Sequence, residues 1–139
     1  MAVHFVLKRF LSDYGDVDLY EAIKSGKKTS EFRDATDYWA RRLLNDLGLE
    51  FFQKFKERFS KKTVSFIFFN ETSPYSIGVD PSTKEVFGSI PYSLKQKEAT
   101  FRVGYTKGPT LHAGIKDVIW RPLENQFEVR LENVYEEES

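Results

Sequence analysis

The segment from residue 64 to residue 69, VSFIFF, is apolar on both faces if it is extended. Successive side chains of a strand point to opposite faces, so a run of this kind is typical of a strand that is covered on both sides of a sheet. We therefore expect a central β-strand over these six residues, deep in the core. A chain of 139 residues is long enough for one domain with such a core, but leaves nothing over for a second domain.

Strand patterns occur on both sides of this segment. Alternating or short apolar runs predict strands at residues 2–7, 27–33, 100–105, 111–119 and 127–132, and a hairpin within residues 77–91. The strand at residues 127–132 has the clearest pattern, because Phe127, Val129 and Leu131 alternate with charged residues.

Helical spacing of apolar residues occurs before the central strand. It predicts a short helix from Leu19 that ends at Gly26, then a helix capped by Thr36 that ends at Gly48, and a third that begins at Leu49. The second helix has its apolar stripe at Trp39, Leu43 and Leu47. The third has a basic face that is formed by Lys54, Lys56, Arg58, Lys61 and Lys62.

The order of these elements predicts an α+β fold, a small, mostly antiparallel β-barrel with flanking helices and a helical insertion at residues 36–60. An open sheet fits the length equally well. We expect one domain over residues 1–134, followed by an acidic tail at residues 135–139 with little to fold it.

Composition excludes several classes of protein. The chain has no Cys, which excludes disulfide scaffolds, thiol catalysis and iron–sulfur clusters, and two isolated His make a zinc site improbable. Phosphate-loop and dinucleotide-binding motifs are absent, so we expect no metal and no cofactor. His4 lies in an apolar strand, where a packed, hydrogen-bonded histidine is expected. The apolar run at the N-terminus is interrupted by Lys8 and Arg9 and is too short for the apolar region of a signal peptide or for a membrane span, which predicts a cytoplasmic protein without membrane association.

One short stretch concentrates cations, a carboxylate and aromatic residues. It runs through GKKTSEFRD at residues 26–34 and continues with Tyr38, Trp39, Arg41 and Arg42. Lysine and arginine bind phosphates, a carboxylate accepts from a base amino group, and an aromatic ring stacks on a base, so the stretch suits a nucleotide pocket. The alternative is a solvated strand with a cross-strand ion pair and Trp39 in the core.

The string G-x-K-x-x-E-x-R, formed here by Gly26, Lys28, Glu31 and Arg33, resembles the signature of the ASCH domain family of PUA-like β-barrels. As in that family, it follows an N-terminal strand and a short helix. The later string FRVGYTK at residues 101–107 and the stretch from residue 31 to residue 43 resemble phage and prophage members. The resemblance spans residues 3–134.

The resemblance implies a domain that binds RNA or a nucleotide in a cleft between the first helix and the sheet. Lys28 and Arg33 would then hold phosphate or base edges, Glu31 would accept from a base, and Trp39 or Tyr105 would stack. Arg102, Tyr105 and Lys107, at a strand end, could close over the same cleft, or they could be a solvated turn. The candidate nucleic-acid-binding residues are therefore Lys27, Lys28, Glu31, Arg33, Tyr38, Trp39, Arg102, Tyr105 and Lys107.

Two other functions stay open. Some members of the family resemble amidohydrolases of N4-acetylcytidine, and others resemble ribonucleases. Lys28 matches the lysine base of the amidohydrolases, although Glu31 stands where they have a threonine nucleophile. Lys28 and Glu31 would be the catalytic residues of such an enzyme, and in a ribonuclease Ser30 and Tyr38 could assist. The third possibility is a phage-type protein that contacts a host transcription or translation factor through the basic helix at residues 54–62.

A cleft lined by Lys28, Glu31 and Arg33 requires that the three side chains point to the same side. In a regular strand Glu31 and Arg33 share one face and Lys28 points to the other, so the three converge only if Lys28 lies in a turn before the strand. Gly26 makes such a turn plausible.

The formal charge of the chain is zero, but residues 1–122 carry a net charge of +5 and residues 123–139 one of −5. This segregation predicts a local basic cleft rather than a strong overall field.

Overall fold

The computed structural model describes residues 2–7, 11–12, 15–59, 64–70, 77–79, 86–103 and 108–137. The strands are β1 (Ala2–Leu7), β2 (Leu11–Ser12), β3 (Gly15–Asp18), β4 (Ser30–Asp34), β5 (Val64–Phe69), β6 (Ile77–Val79), β7 (Val86–Ile90), β8 (Glu98–Val103), β9 (Thr110–Arg121) and β10 (Gln126–Glu137). The helices are α1 (Leu19–Lys24), α2 (Asp37–Leu43) and α3 (Asp46–Phe59).

Strand β9 organises a mixed sheet of eight strands. One edge of β9 pairs with β10. Its other edge pairs first with β8, from Leu111 to Gly114, and then with β5, from Asp117 to Trp120. Pairings β1–β8 and β5–β7 are parallel and the others in this sheet are antiparallel. Because its two arms diverge from one long strand, the sheet curls into a half-barrel, and the fold is α+β as predicted.

The predicted central strand is confirmed. β5 lies between β7 and β9, and its residues from Ser65 to Phe68 are buried. The predicted hairpin is confirmed as well, because β6 and β7 pair antiparallel, with Ile77 opposite Gly88.

Helix α3 covers the sheet with aromatic side chains. The Phe52 ring lies 5.1 Å from Trp120 and 5.2 Å from Phe127, measured between ring centroids. Phe51, one residue earlier, packs at 4.9 Å against Phe66. Phe52, Phe66, Trp120 and Phe127 belong to the buried core, and half-buried Phe51 packs against it.

The start of α3 differs from the prediction. The helix begins at Asp46, and Gly48 lies inside its first turn instead of ending a preceding helix. A Cβ at Gly48 would lie 2.7 Å from the carbonyl oxygen of Ser93, so glycine is needed for close approach. The Gly48 amide donates to Asn45 Oδ1 at 3.1 Å, and this side chain satisfies one of the free amides of the first turn. Leu47, expected on an apolar stripe, is exposed.

The acidic end also differs from the expected tail. β10 continues to Glu137, which lies opposite Thr110 of β9. The Tyr20 hydroxyl of α1 donates to Glu136 Oε2 at 2.8 Å, and Lys24 Nζ lies 3.2 Å from the other oxygen of that carboxylate. The hydrogen bond from Tyr20, assisted by Lys24, lowers the pKa of Glu136, whereas burial, with Glu136 beside it, raises the pKa of Tyr20.

No helix in the described part of the chain is sufficiently long and apolar to cross a membrane.

Candidate nucleic-acid-binding site

The turn between α1 and β4 places the signature lysine. Gly26 has a φ of 81°, in the left-handed region that glycine occupies without steric cost. The Lys28 amide then donates to the Ala22 carbonyl at 2.9 Å, which folds the turn back on the helix. Regular strand begins at Ser30, not at residue 27 as predicted. Lys28 therefore lies in the turn, which is the arrangement that convergence with Glu31 requires.

Lys28 and Glu31 form a buried ion pair. The Lys28 Nζ atom lies 3.3 and 3.4 Å from the two carboxylate oxygens of Glu31, and their side chains are 8% and 7% exposed. The Phe32 amide donates to Glu31 Oε1 at 3.1 Å. Charges removed from water are tolerated when they are paired and hydrogen-bonded, as these are. The two residues are thus brought together, but little of either is open to a ligand.

Arg33 lies farther along the same face of β4, opposite Phe127 of β10. Its guanidinium carbon lies 5.1 Å from the ring centroids of both Phe5 and Trp39. The Phe5 and Trp39 rings stack at 5.3 Å with an interplanar angle of 16°. Arg33 Nε is buried and has no hydrogen-bond partner among the described residues, so one charged donor of the signature is left unsatisfied.

Arg33 also bridges a seam in the half-barrel. Its own strand β4 pairs with β10, and β1, which carries Phe5, pairs with β8. Among the described strands β1 and β4 do not pair with each other. The Arg33–Phe5 contact and Trp39 of α2 therefore close the space between the two strand edges.

Helix α2 extends the site toward solvent. Thr36 caps it, as predicted, by accepting from the Trp39 amide at 3.4 Å. Tyr38 is 55% exposed and its ring meets Trp39 edge-on at 5.2 Å. The Arg42 guanidinium lies 3.3 Å from the centre of the Tyr38 ring and donates to the Tyr38 carbonyl at 3.0 Å. Arg42 is thus fixed on an exposed aromatic ring.

A groove of about 520 Å³ opens beside this stack. It is bounded by the start of β1, by α2 and by the segment before β8, and its lining residues are Ala2, Val3, His4, Tyr38, Arg42, Lys95 and Gln96. No carboxylate is among these lining residues, so the groove is positive. His4 is hydrogen-bonded to Thr100, as expected, but it is exposed rather than packed because its neighbours Val3 and Phe5 take the buried face of β1.

The groove contains residues that the sequence did not identify. Arg42 belonged to the predicted cluster, and its spacing of four from Tyr38 is the signal that puts both on one side of α2. Lys95 and Gln96 come from a turn segment without periodicity, and their position depends on the pairing of Leu44 with Leu94. No local signal marks them.

Other predicted site residues lie elsewhere. Lys27 is exposed in the turn after α1. Arg102 is exposed and lies on the opposite face of β8 from buried Phe101, which stacks on Phe5 at 5.1 Å. It therefore does not face Arg33. Tyr105 and Lys107 lie outside the described residues.

The basic face of α3 is only partly free. Lys54 lies 5.5 Å from the Phe55 ring, and Arg58 lies between 5.6 and 5.7 Å from Phe55 and Phe59. Lys56 Nζ lies 3.4 Å from Asp37 Oδ1. Lys61 and Lys62 of this predicted face lie outside the described residues.

Metal ligands do not cluster in the residues that the structure describes: no group of three or more His, Cys, Asp or Glu side chains there could hold an ion. The charged groups at the site are instead partnered by one another and by aromatic rings. Comparisons with protein-family models, with curated proteins and with solved structures found no match to this chain.

Proposed function

We propose that this chain binds RNA or a nucleotide, the ligand class that the resemblance to ASCH and PUA-like domains implies. The proposed site is the groove between β1, α2 and the segment before β8, and not the cleft between the first helix and the sheet that the resemblance implies. The observation that carries the proposal is a groove whose described lining residues include cations and an exposed tyrosine but no carboxylate. Arg33, with an unpartnered charged donor, is linked to this groove through the Trp39 and Tyr38 rings.

Each part of a nucleotide has a chemical counterpart here. Arg42 offers a planar guanidinium and Lys95 an ammonium group, and both bind phosphate oxygens through charge-assisted hydrogen bonds. Tyr38 is exposed and presents an aromatic surface on which a base of any sequence can stack. The glutamine amide of Gln96 has a donor and an acceptor for a base edge.

The buried Lys28–Glu31 ion pair stabilises the strand that carries Arg33. Lys28 and Glu31 are too buried to hold a phosphate directly, and they fix the turn from which β4 starts. Arg33 is two residues farther along that strand and contacts Trp39. In this proposal Lys28, Glu31 and Arg33 are positioning residues, and Tyr38, Arg42 and Lys95 face the ligand.

Fluorescence anisotropy of a labelled oligouridylate tests the proposal. We expect binding by the wild-type chain and a loss of about tenfold or more in affinity for the Arg42→Ala, Lys95→Ala double variant, because two phosphate contacts are removed. Arg58→Ala is the matched control, since Arg58 also lies over aromatic rings but belongs to α3. Absence of wild-type binding, or an equal loss in the control, would contradict the proposal.

Hydrolysis is the alternative function. It needs Lys28 as a base with a free lone pair, whereas its amine donates to Glu31 in the buried pair. Binding is therefore favoured over turnover. Incubation with N4-acetylcytidine and with RNA separates the two. Product that wild type forms, and that disappears in a Lys28→Met variant shown by circular dichroism to be folded, would establish an enzyme.

A further inference from the structure

The binding groove continues beyond Lys95. A second groove of about 350 Å³ is lined by Arg41, Leu44, Asn45, Asp46, Leu49 and Lys95. Lys95 lines both grooves, and its Nζ atom lies 3.5 Å from the Arg41 carbonyl oxygen. The two openings therefore meet at one exposed cation, with Arg42 on one side and Arg41 on the other.

An exposed tyrosine is hydrogen-bonded through its backbone to Asn45 of the second groove. Tyr92 is 59% exposed, and its carbonyl accepts a hydrogen bond from the Asn45 side chain. Its φ of 54° is in the left-handed region, which is uncommon for an aromatic residue. The next residue, Ser93, is held on both sides, since its amide donates to Phe69 at 2.7 Å and its carbonyl accepts from Asn45 at 2.8 Å.

The charge of the second groove is also positive. Asp46 is the one carboxylate among its described lining residues, and it lies in the first turn of α3, where it offsets the positive end of the helix dipole. Arg41 and Lys95 outnumber it. Cations are therefore present along both grooves. Exposed Tyr38 lines the first groove, and exposed Tyr92 is hydrogen-bonded through its backbone to Asn45 of the second.

We infer that the two grooves form one track for a single-stranded nucleic acid of several nucleotides. Phosphates bind Arg42, Lys95 and Arg41 in succession, and bases stack on Tyr38 and Tyr92. Stacking platforms spaced along a basic groove select single strands because the bases of a duplex are already stacked on one another. This inference rests on the proposed function and deepens it, since it makes the ligand an oligomer rather than a mononucleotide.

Affinity as a function of ligand length tests the track. Uridine monophosphate and oligouridylates of about two, four and eight nucleotides compete against a labelled octamer, and we expect affinity to rise with length by about tenfold or more beyond the dinucleotide. The same series in DNA is measured beside the RNA, and a gain with length in either supports the track and shows which sugar it accepts. A blunt duplex of the same length should bind at least about tenfold more weakly than the single strand.

Variants of the second groove separate this inference from the proposed function. Arg41→Ala with Tyr92→Asn should remove the gain with length while leaving mononucleotide affinity unchanged, and asparagine keeps the left-handed backbone at this position. Tyr135→Ala is the control, because Tyr135 is equally exposed but lies on β10. Circular dichroism confirms that each variant is folded.

If affinity is independent of length, if the duplex binds equally well, or if the second-groove variant binds like wild type, the track is wrong. The proposed function fails when wild type binds none of these ligands, or when the Arg42→Ala, Lys95→Ala variant loses no more affinity than Arg58→Ala.

Discussion

The Lys28 ammonium lies 3.3 Å from the Glu31 carboxylate in a position where less than a tenth of either side chain reaches solvent. The Coulomb energy of such a pair offsets the hydration free energy that its two charges lose on burial only if the charged groups stay close together and hydrogen-bonded. Here the turn at Gly26 and the first residues of β4 hold that geometry. Removing one partner leaves the other as an uncompensated buried charge.

We therefore predict that Glu31→Leu alone lowers the free energy of unfolding by about 3–5 kcal/mol. The double variant Lys28→Met, Glu31→Leu should recover most of that loss, because no charge remains buried. Urea denaturation of wild type, both single variants and the double variant measures the coupling. Additive losses in the double variant would show that the two charges do not depend on each other.

A second prediction concerns the turn that positions this pair. Gly26→Ala should destabilise the protein by about 1 kcal/mol or more, since a Cβ is disfavoured at a φ of 81° even though no atom lies within 4 Å of it. Gly108→Ala is the control, because Gly108 also has open space around it but no left-handed φ. Equal urea midpoints for the two variants would contradict the conformational explanation.

A third prediction concerns close packing rather than backbone conformation. Gly48→Ala should cost about 1–3 kcal/mol, because its Cβ would lie 2.7 Å from the Ser93 carbonyl oxygen. Ser93 is held by Phe69 and Asn45, so it has little freedom to move away. Thermal unfolding measures the loss. Wild-type stability in this variant would mean that α3 and the segment at Ser93 can separate without cost.

A fourth prediction concerns acid stability. Glu136 has a pKa below its ordinary value of 4.5, because Tyr20 and Lys24 stabilise its charged form. A group with a lowered folded-state pKa adds stability above its unfolded value, and this stability is lost as the pH falls through the folded value. Wild type should thus exceed Glu136→Gln in unfolding free energy above about pH 5, and the difference should shrink below pH 4.5.

Tyr20→Phe is the companion variant in that experiment, because it removes the hydrogen bond that is the main cause of the lowered pKa. Its difference from wild type should shrink over the same acidic range. If the stability difference between wild type and Glu136→Gln stays constant from neutral pH to pH 3, the link between α1 and the end of β10 has no electrostatic part.

A fifth prediction concerns salt. Each cation that contacts a phosphate of a single strand contributes about −0.7 to the slope of log affinity against log salt concentration. Arg42→Ala should therefore make that slope less steep by about this amount, while Arg58→Ala leaves it unchanged. Anisotropy titrations at several salt concentrations measure the slopes. An unchanged slope for Arg42→Ala would place this side chain away from the phosphates.

Elements with a strong local pattern were predictable. β5 and the β6–β7 hairpin follow from apolar runs bounded by turn residues, and the cap at Thr36 follows from its residue type. The turn at Lys28 was only a condition for its convergence with Glu31, since the strand predicted over residues 27–33 included Lys28. The elements that were predictable have their signal in a short stretch of sequence.

Features that depend on distant contacts were not predictable. The sequence predicts a helix end at Gly48, whereas the structure shows that glycine is needed there because Ser93 lies close to its backbone. The residues around Glu136 lack a strand pattern, and β10 extends through them because β9 pairs with their backbone and α1 supplies partners for the carboxylate. Lys95 carries no local mark of a binding residue, because its place in the groove depends on the pairing around Leu94.

The parallel pairing of β1 with β8 has a consequence for the order of folding. His4 and its partner Thr100 are 96 positions apart, whereas β9 and β10 follow each other directly. Contacts between distant segments form slowly because a long loop must close first. The β9–β10 hairpin can therefore form early, while β1 docks late. Since β1 borders the first groove, the capacity to bind a ligand is acquired in the last steps of folding, and a ligand present at that stage would stabilise the newly docked strand.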